Sequence, residues 1–364
     1  MTKSDRTWVE VSRRALLSNF GQFQRFFHSQ ALIAPVVKAN AYGHGNGLVV
    51  KTLNHSQVWG FCVAYDSEAI ELRPLTDKPL LVLSAWQPIN LPTLIRRRIQ
   101  LVIWDRSAAQ AAAQAAQRIN RQAIVHLKID TGTSRIGTRP EALAPLLNYL
   151  KRQRWLHLEG VFSHYADSES NSLRLARQQR ADFIQAASQV SAPLVHIACT
   201  AASLRLPIPP TNLVRLGLGL YGLWPSPATR RADRVRLKPA MTWKTRVLQV
   251  KSVPAGTAIG YDRTYRVRRA TTIAVLPVGY ADGYDRRASN RSHVIISGRR
   301  CPIVGRVSMN LVMVDLGRRP VSAGTEVTLL GRGAEADVLA REWSTIGYEV
   351  VSRISPNIPR YAAA

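Results

Sequence analysis

Cysteine and acidic residues are scarce in this sequence. The 364 residues include only three cysteines, Cys62, Cys199 and Cys301, and no two of them form a Cys-x-x-Cys pair. This count fits a reducing compartment and argues against a zinc knuckle. No segment reaches the roughly 18 uninterrupted apolar residues of a membrane helix. Charges interrupt the N-terminal segment, so it does not resemble a secretory signal. We therefore expect a cytoplasmic protein with no metal site and no membrane partner.

Basic residues outnumber acidic ones by 50 to 23, which gives a net charge of +27. Such an excess is typical of proteins that bind nucleic acids or anionic surfaces, although a solvated basic face is the simpler explanation. The sequence contains no zinc-finger spacing, no RNP pair and no basic heptad region. We therefore do not expect a nucleic-acid partner.

Short apolar runs alternate with helical segments through the first 220 residues. The runs lack clean alternation, as expected of strands buried on both faces. Eight such runs begin at Leu32, Val58, Pro79, Leu101, Ala123, Leu158, Leu194 and Val214. Helix-forming segments begin at Ser107, Arg139 and Ser172. This pattern predicts a (β/α)8 barrel over residues 8–228. The alternative, an open doubly wound sheet, would present Gly-x-Gly-x-x-Gly where this chain reads KANAYGHG.

The sequence changes in character after about Pro225. The stretch PSPATRRADRVR reads as a linker, and short β-type runs punctuated by glycine and proline follow it. We predict a second, mostly β domain formed by residues 229–364 together with residues 1–7.

Charged side chains follow several of the predicted barrel strands. Active sites of such barrels lie at the C-terminal ends of the strands. The residues at those positions are Lys38, Lys128, Asp130, Arg135, His164, Cys199, Thr200, Arg215, Gly217 and Gly219. Burial would lower the pKa of a lysine there and leave it neutral, as Schiff-base chemistry requires. The alternative is a lysine whose stem simply extends to solvent.

Seven motifs in order along the chain resemble those of alanine racemases. They are VVKANAYGHG from Val36, HLKIDTGTSRIG from His126, VRLGLGLYGL from Val214, IGYDRTY from Ile259, LPVGYADGYDR from Leu276, GRVSMN from Gly305 and TIGYEV from Thr345. The resemblance extends from Trp8 to about Pro359. It implies a fold-type III enzyme that depends on pyridoxal 5'-phosphate and interconverts L- and D-alanine, supplying D-alanine for peptidoglycan.

The resemblance also implies which residues act in catalysis. Lys38 would hold the cofactor covalently and act as the base on one face of the substrate Cα. Tyr261, from the partner subunit of a homodimer, would be the base on the other face. His164 would lie beside that tyrosine, and Arg215 would meet the pyridine nitrogen of the cofactor. An arginine cannot hand over a proton, so the ring would be a weak electron sink, which would limit side reactions.

Further residues are implied around the cofactor and substrate. The phosphate would be bound by Thr200, by the backbone amides of Gly217 and Leu218, and by the phenols of Tyr42 and Tyr348. Arg135 and the backbone amide of Met309, the latter from the partner subunit, would bind the substrate. Lys128 resembles a carbamylated lysine that orients Arg135; the alternative is an ordinary ion pair with Asp130.

Three departures from the family pattern affect the expected substrate. Cys199 stands where the family has asparagine, Ser134 replaces another asparagine, and Asn310 replaces an aspartate. A serine or broad-specificity racemase of the same fold is therefore the nearest alternative. A pyridoxal-phosphate-dependent decarboxylase would pair the ring nitrogen with a carboxylate. A cofactor-carrying binding protein would lack the second domain.

Overall fold

The secondary structure is taken from a computed structural model that describes residues 6–28 and 30–363. The strands are β1 (Thr7–Ser12), β2 (Leu32–Pro35), β3 (Phe61–Tyr65), β4 (Leu80–Ala85), β5 (Ile99–Ile103), β6 (Ala123–Lys128), β7 (Leu156–Phe162), β8 (Leu194–His196), β9 (Leu213–Leu216), β10 (Met241–Arg246), β11 (Gln249–Val253), β12 (Ala258–Ile259), β13 (Tyr265–Arg266), β14 (Thr271–Leu276), β15 (His293–Ile296), β16 (Arg299–Pro302), β17 (Val312–Gly317), β18 (Glu326–Leu330) and β19 (Arg360–Ala363).

The helices alternate with strands up to β9 and are sparse after it. They are α1 (Arg13–Phe27), α2 (Lys38–Tyr42), α3 (Asn46–Leu53), α4 (Asp66–Leu72), α5 (Leu91–Arg96), α6 (Arg106–Arg118), α7 (Leu143–Lys151), α8 (Arg174–Ala187), α9 (Thr200–Arg205), α10 (Pro227–Arg231), α11 (Ala336–Glu342) and α12 (Gly347–Ser352). No helix within the described ranges is long and apolar enough to cross a membrane.

The chain divides into two compact units. The first, which we call the barrel unit, comprises Leu16–Ala41 and Asn46–Lys238. The second, the β unit, comprises the described residues up to Ala15, Tyr42–Gly45 and the described residues from Pro239 onward. The division after Lys238 lies close to the predicted linker, and α10 occupies part of that stretch. The linker is therefore not wholly irregular: Ser226 accepts a hydrogen bond from the Thr229 amide and caps a short helix.

The barrel unit contains eight parallel strands, β2 to β9, one in or next to each predicted run. Strands β3 to β8 pair consecutively in one sheet, and β2 pairs with β9. Backbone hydrogen bonds join the two sheets on both sides. Val37 N–H, just after β2, donates to Cys62 O in β3, and Asn212 N–H, just before β9, donates to Val195 O in β8. The predicted (β/α)8 barrel is confirmed. Strand β5 (IQLVI) is buried at all five positions, as a barrel strand covered by helices must be.

The helices of the barrel begin at local capping signals. Asp105 accepts a hydrogen bond from the Ala108 amide and starts α6, whose alanines pack closely on the strands. Helix α8 begins at Arg174, two residues after Ser172. The eighth apolar run is only partly a strand, because residues Leu218–Tyr221 form a 3-10 helix after β9.

The β unit is mostly β, as predicted. Its larger sheet has the order β16-β15-β18-β10-β1-β19, and a second sheet has the order β11-β14-β17. The N-terminal strand β1 lies inside the larger sheet, antiparallel to β10 and parallel to β19. Three buried aromatic rings, Trp243, Tyr284 and Trp343, pack in series at centroid distances of 5.7 and 5.1 Å.

Candidate active site

Lys38 lies just after β2, at the C-terminal end of the barrel. Tyr221 anchors the backbone just after this strand, because its hydroxyl donates to Val36 O at 2.7 Å. Burial lowers the pKa of Lys38, and the positive charges of Arg135 and Arg215 lower it further, whereas Glu68 opposes the shift. An amine in this position is neutral over a larger part of the pH range than a free lysine.

The chain after Lys38 makes a left-handed turn. Ala39, Asn40 and Ala41 have φ values of 52°, 53° and 53°, which are unfavourable for residues with a side chain. Glu68 of α4 holds this turn, because its Oε1 accepts the Ala39 amide at 2.6 Å while its Oε2 accepts the Ala64 amide at 2.8 Å. The carboxylate thus ties the lysine-bearing loop to the end of β3.

Arg215 in β9 lies among neutral acceptors. One of its terminal nitrogens donates to His196 Nδ1 at 2.7 Å, and the other donates to Ser163 O at 2.7 Å. The second nitrogen also lies 3.4 Å from His164 Nδ1. The guanidinium packs over the Phe162 ring at 5.2 Å. Several bonds from a planar fork to fixed acceptors hold this cation in one orientation.

Histidines His126, His164 and His196 of the barrel are all kept neutral. Burial lowers the pKa of His126 to about 3, with Arg215 adding to the effect. Burial and then Arg215 also hold the pKa of His164 and of His196 well below the ordinary value. Because Arg215 can only donate, His164 accepts through Nδ1 and carries its proton on Nε2.

Lys128 lies at the end of β6 with its ammonium nitrogen 5.5 Å from the centroid of the Phe162 ring. Burial, followed by the charges of Arg215 and Arg135, lowers its pKa to about 8. No ion pair between Lys128 and Asp130 occurs among the described residues. Asp130 instead accepts the backbone amides of its own loop.

The Asp130 loop positions Arg135. The Asp130 carboxylate accepts the amides of Gly132 at 2.9 Å, Thr133 at 2.8 Å and Arg135 at 2.9 Å. Burial would raise the pKa of Asp130, but these hydrogen bonds outweigh it and lower the pKa. The carboxylate therefore stays ionised and fixes the backbone that carries Arg135.

The loops after β8 and β9 meet at Thr200. Its hydroxyl oxygen accepts the amides of Gly217 at 3.1 Å and Gly219 at 3.3 Å. A Cβ atom at Gly219 would lie 2.7 Å from both Phe23 Cζ and Thr200 Cγ2, so only glycine fits there. The structure thus brings together Thr200, Gly217 and the 3-10 helix that begins at Leu218. Barrels commonly bind phosphate at this pair of loops.

Two predicted residues lie exposed in the β unit. Tyr261 begins a 3-10 helix and is 70% exposed, and Met309 is 56% exposed. The Met309 loop passes close to Gly279: a Cβ atom added there would lie 2.3 Å from both Met309 O and Ser308 O, so this approach requires glycine.

Tyr42 and Tyr348 lie together in the β unit. Their ring centroids are 6.2 Å apart. The close approach of α12 to this segment requires glycine at position 43, where a Cβ would lie 2.0 Å from Val351 O. The structure therefore pairs the two phenols that the sequence separates by about 300 residues.

The residues that depart from the family pattern lie at loop or helix ends. Cys199 immediately precedes α9, and its sulfur lies 3.5 Å from the Ser168 hydroxyl. Ser134, in the Asp130 loop, has a φ of 49° and is exposed, as is Asn310. Cys62, Cys199 and Cys301 are free thiols. Within residues 6–28 and 30–363, no group of three or more His, Cys, Asp or Glu residues could hold a metal ion.

Three residues around this site were not identified from the sequence: Glu68, His126 and His196. The histidines lie inside the motifs HLKID and HIACT, but nothing in a linear pattern says which strand residues point into the barrel toward Arg215. Glu68 occupies the third position of α4 and fits a capping box, which explains its helix but not its bond to Ala39.

Comparisons with known proteins agree over the whole chain. Residues 11–225 match the family model described as alanine racemase, N-terminal domain, and residues 240–362 match the one described as alanine racemase, C-terminal domain. The chain is 39% identical to an alanine racemase of Carboxydothermus hydrogenoformans, over 97% of this chain and 98% of that protein. It is 36% identical to one from Methylacidiphilum infernorum, over 98% and 92%.

Solved structures give the same result. An alanine racemase of Clostridium difficile 630 superimposes with a TM-score of 0.94 at 31% identity, covering 99% of this chain and 96% of that one. The alanine racemase of Bacillus anthracis, with bound L-Ala-P, superimposes with a TM-score of 0.93 at 33% identity, covering 99% and 95%.

Proposed function

This chain belongs to the alanine racemase family, and we propose that it interconverts L- and D-alanine with pyridoxal 5'-phosphate as its cofactor. Its product D-alanine would feed peptidoglycan synthesis, and we place the enzyme in the cytoplasm. The observation that carries the proposal is the convergence of a Lys38 amine of lowered pKa and a rigidly held Arg215 at one end of the barrel.

The residues present fit this cofactor. Lys38 offers an amine of lowered pKa to an aldehyde, and Thr200 with the amides that begin the 3-10 helix at Leu218 offers donors to a phosphate. Gly219 packs closely against Thr200 and has no side chain that would cover the backbone at that point. By the family resemblance, Tyr42 and Tyr348 would add phenol donors to this phosphate. When bound, the cofactor supplies an electron sink that acidifies the substrate Cα–H bond.

Arg215 determines how strong that sink is. It stays protonated and cannot transfer a proton, so it would stabilise the ring nitrogen of the bound cofactor only by hydrogen bonding. Its bonds to His196 and Ser163 keep it in place. A carboxylate in this position would favour deeper electron withdrawal, so the arginine favours racemisation over the decarboxylase alternative.

Racemisation requires a base on each face of the substrate carbon, and we propose Lys38 and Tyr261 for these roles. Tyr261 would come from the partner subunit of a homodimer, as would the Met309 amide that binds the substrate carboxylate. The exposure of both side chains in this chain supports their use by a second copy. His164, with its proton on Nε2, would donate to the phenol oxygen of Tyr261.

Lys128 is proposed to carry a carbamate. Addition of CO2 to the neutral amine releases one proton and gives a carbamate with one negative charge, where the protonated lysine would have carried a positive one. A pKa of about 8 leaves part of the amine neutral at physiological pH, and the nearby charges of Arg215 and Arg135 would stabilise the anion. The carbamate would then orient Arg135 toward the substrate or the cofactor.

A serine or broad-specificity racemase of the same fold is the second candidate, because Cys199, Ser134 and Asn310 differ from the family pattern. The test is a chiral assay of the purified, cofactor-loaded enzyme with L-alanine, L-serine, L-lysine and L-arginine. We expect D-alanine to form fastest and Lys38→Ala to abolish its formation. Faster conversion of serine or of a basic amino acid would contradict the choice of alanine, and release of CO2 would favour a decarboxylase.

A further inference from the structure

A series of hydrogen bonds runs from Arg215 through the interior of the barrel. Arg215 donates to His196 Nδ1 at 2.7 Å, His196 Nε2 lies 3.1 Å from His126 Nδ1, and His126 Nε2 lies 2.6 Å from Gln100 Oε1. His126 and His196 are completely buried, Arg215 is 4% exposed and Gln100 is 6% exposed. Their polar atoms therefore depend on partners inside the protein.

The direction of every bond in this series follows from the arginine. A guanidinium has donors and no acceptor, so His196 must accept through Nδ1 and carry its proton on Nε2. That proton is donated to His126 Nδ1, which leaves the His126 proton on Nε2. The latter proton is accepted by the Gln100 carbonyl oxygen. Both imidazoles are therefore neutral, and both have the same tautomer.

A proton added to either ring would break the series. A charged His196 would direct an N–H group at the N–H of Arg215, and a charged His126 would direct one at the Nε2–H of His196. The groups facing His126 and His196 leave little room for another arrangement. Phe162 stacks on His196 at 4.9 Å, and Trp59 meets His126 edge-on at 6.1 Å. At Gly160 a Cβ atom would lie 2.3 Å from His126 Nδ1.

Gln100 ends the series far from the catalytic end of the barrel. It is the second residue of β5, and it lines a cavity of about 650 Å³ whose other walls come from the residues preceding β4 and β5 and from Ile124 in β6. Residues at this N-terminal end of a barrel usually serve stability alone. Here the Gln100 carbonyl accepts the Nε2 proton of His126, and so stabilises from the far end of the series the same tautomers that Arg215 requires.

We propose that Gln100 and His126 are positioning residues for Arg215: by accepting hydrogen bonds along the series they stabilise the tautomer in which His196 accepts from the guanidinium, and His196 holds the guanidinium in place. The relevance of this series to catalysis rests on the proposed function, in which Arg215 faces the cofactor ring. The series itself is a property of the barrel and can be tested separately.

The first test is ¹⁵N NMR of the full-length, cofactor-loaded enzyme with labelled histidine, its signals assigned by single substitution. We expect His126 and His196 to show a protonated Nε2, a bare Nδ1 and no titration between pH 6 and 8. A proton on Nδ1 of either ring, or a charged ring at neutral pH, would overturn the proposal. This result does not depend on which amino acid the enzyme racemises.

The second test compares Gln100→Leu with Gln100→Glu. Leucine removes the acceptor for the His126 proton, and we expect kcat for alanine racemisation to fall by about tenfold with little change in KM, the size of effect typical of an unsatisfied buried donor. Glutamate restores an acceptor oxygen at the same place, so we expect it to recover most of kcat. If Gln100 served only packing, the apolar leucine would be tolerated better than the charged glutamate.

Val125→Ala is the matched control. Val125 precedes His126 in β6 and is completely buried, but its side chain has no polar atom and takes no part in the series. We expect it to lower stability while kcat and the imidazole signals stay as in the unaltered enzyme. Equal losses of kcat in Gln100→Leu and Gln100→Glu would refute the proposal, whereas a wild-type enzyme that does not racemise alanine would refute the proposed function instead.

Discussion

The bond between Glu68 and the lysine-bearing loop is open to a sharp test by Glu68→Gln. The glutamate accepts the Ala39 amide with one oxygen and the Ala64 and Tyr65 amides with the other, at 2.8 and 3.2 Å for the latter two. An amide side chain has only one acceptor oxygen. Whichever way glutamine is oriented, its NH2 group faces a backbone N–H group.

The size of the effect follows from these bonds. Loss of a hydrogen bond to a charged acceptor costs about 1.5–3 kcal/mol. The left-handed turn adds to the consequence, because such a conformation costs roughly 1–2 kcal/mol per residue and depends on its anchors. A loss of ~2 kcal/mol in the free energy of local opening makes amide exchange about 30-fold faster.

The assay is native-state hydrogen–deuterium exchange of the peptides that contain Ala39, Ala64 and Tyr65. Glu71→Gln is the matched control, because Glu71 is exposed on the same helix. Glu68 also opposes the lowering of the Lys38 pKa, so its removal should lower that pKa further. If both variants exchange at the same rate in these peptides, Glu68 does not hold the loop and the reasoning fails.

Four other results are expected. Tyr261→Phe should lower racemisation by about 10²–10⁴-fold, while solvent-hydrogen exchange into the enantiomer served by Lys38 persists; full racemisation by this variant would remove Tyr261 from the mechanism. ¹³C-labelled bicarbonate should give one carbamate signal that is absent from Lys128→Ala, and its presence in both proteins would place the carbamate elsewhere. Gly219→Ala should weaken cofactor retention on dialysis, because its Cβ would overlap Phe23; unchanged retention would contradict the assigned phosphate loop. The three buried imidazoles have lowered pKa values, so below about pH 6.5 the unfolded chain binds protons that the folded chain does not. The free energy of unfolding should therefore be highest above that pH. Below it, the free energy of unfolding should fall by on the order of 1.4 kcal/mol per pH unit for each ring. A urea midpoint independent of pH between 6.5 and 4 would contradict this.

The barrel was predictable from sequence because its signal is redundant. Each strand is a short apolar run buried on both faces, and each is separated from the next by helix formers, so the periodicity of one element supports that of the next. The (β/α)8 fold and the mostly β second unit are confirmed. The boundaries of the two domains and the roles of the site residues remain predictions.

Features that depend on long-range contacts were not predictable. Strand β1 lies inside a sheet formed by residues more than 200 positions away, and its sequence gives no indication of those partners. The left-handed turn after Lys38 contains alanine rather than glycine, so no local signal marks it. The bond from Glu68 to Ala39 and the series from Arg215 to Gln100 arise only when the strands are arranged side by side.

The place of β1 also has a consequence for biosynthesis. This strand is translated before the barrel unit, yet its neighbours β10 and β19 are translated only after the entire barrel unit. The barrel unit can therefore complete its strand pairing while Thr7–Ser12 still lacks its own. A recombinant fragment that starts at Pro239 would be missing an interior strand, and supplying that strand as a separate peptide would be expected to restore the sheet.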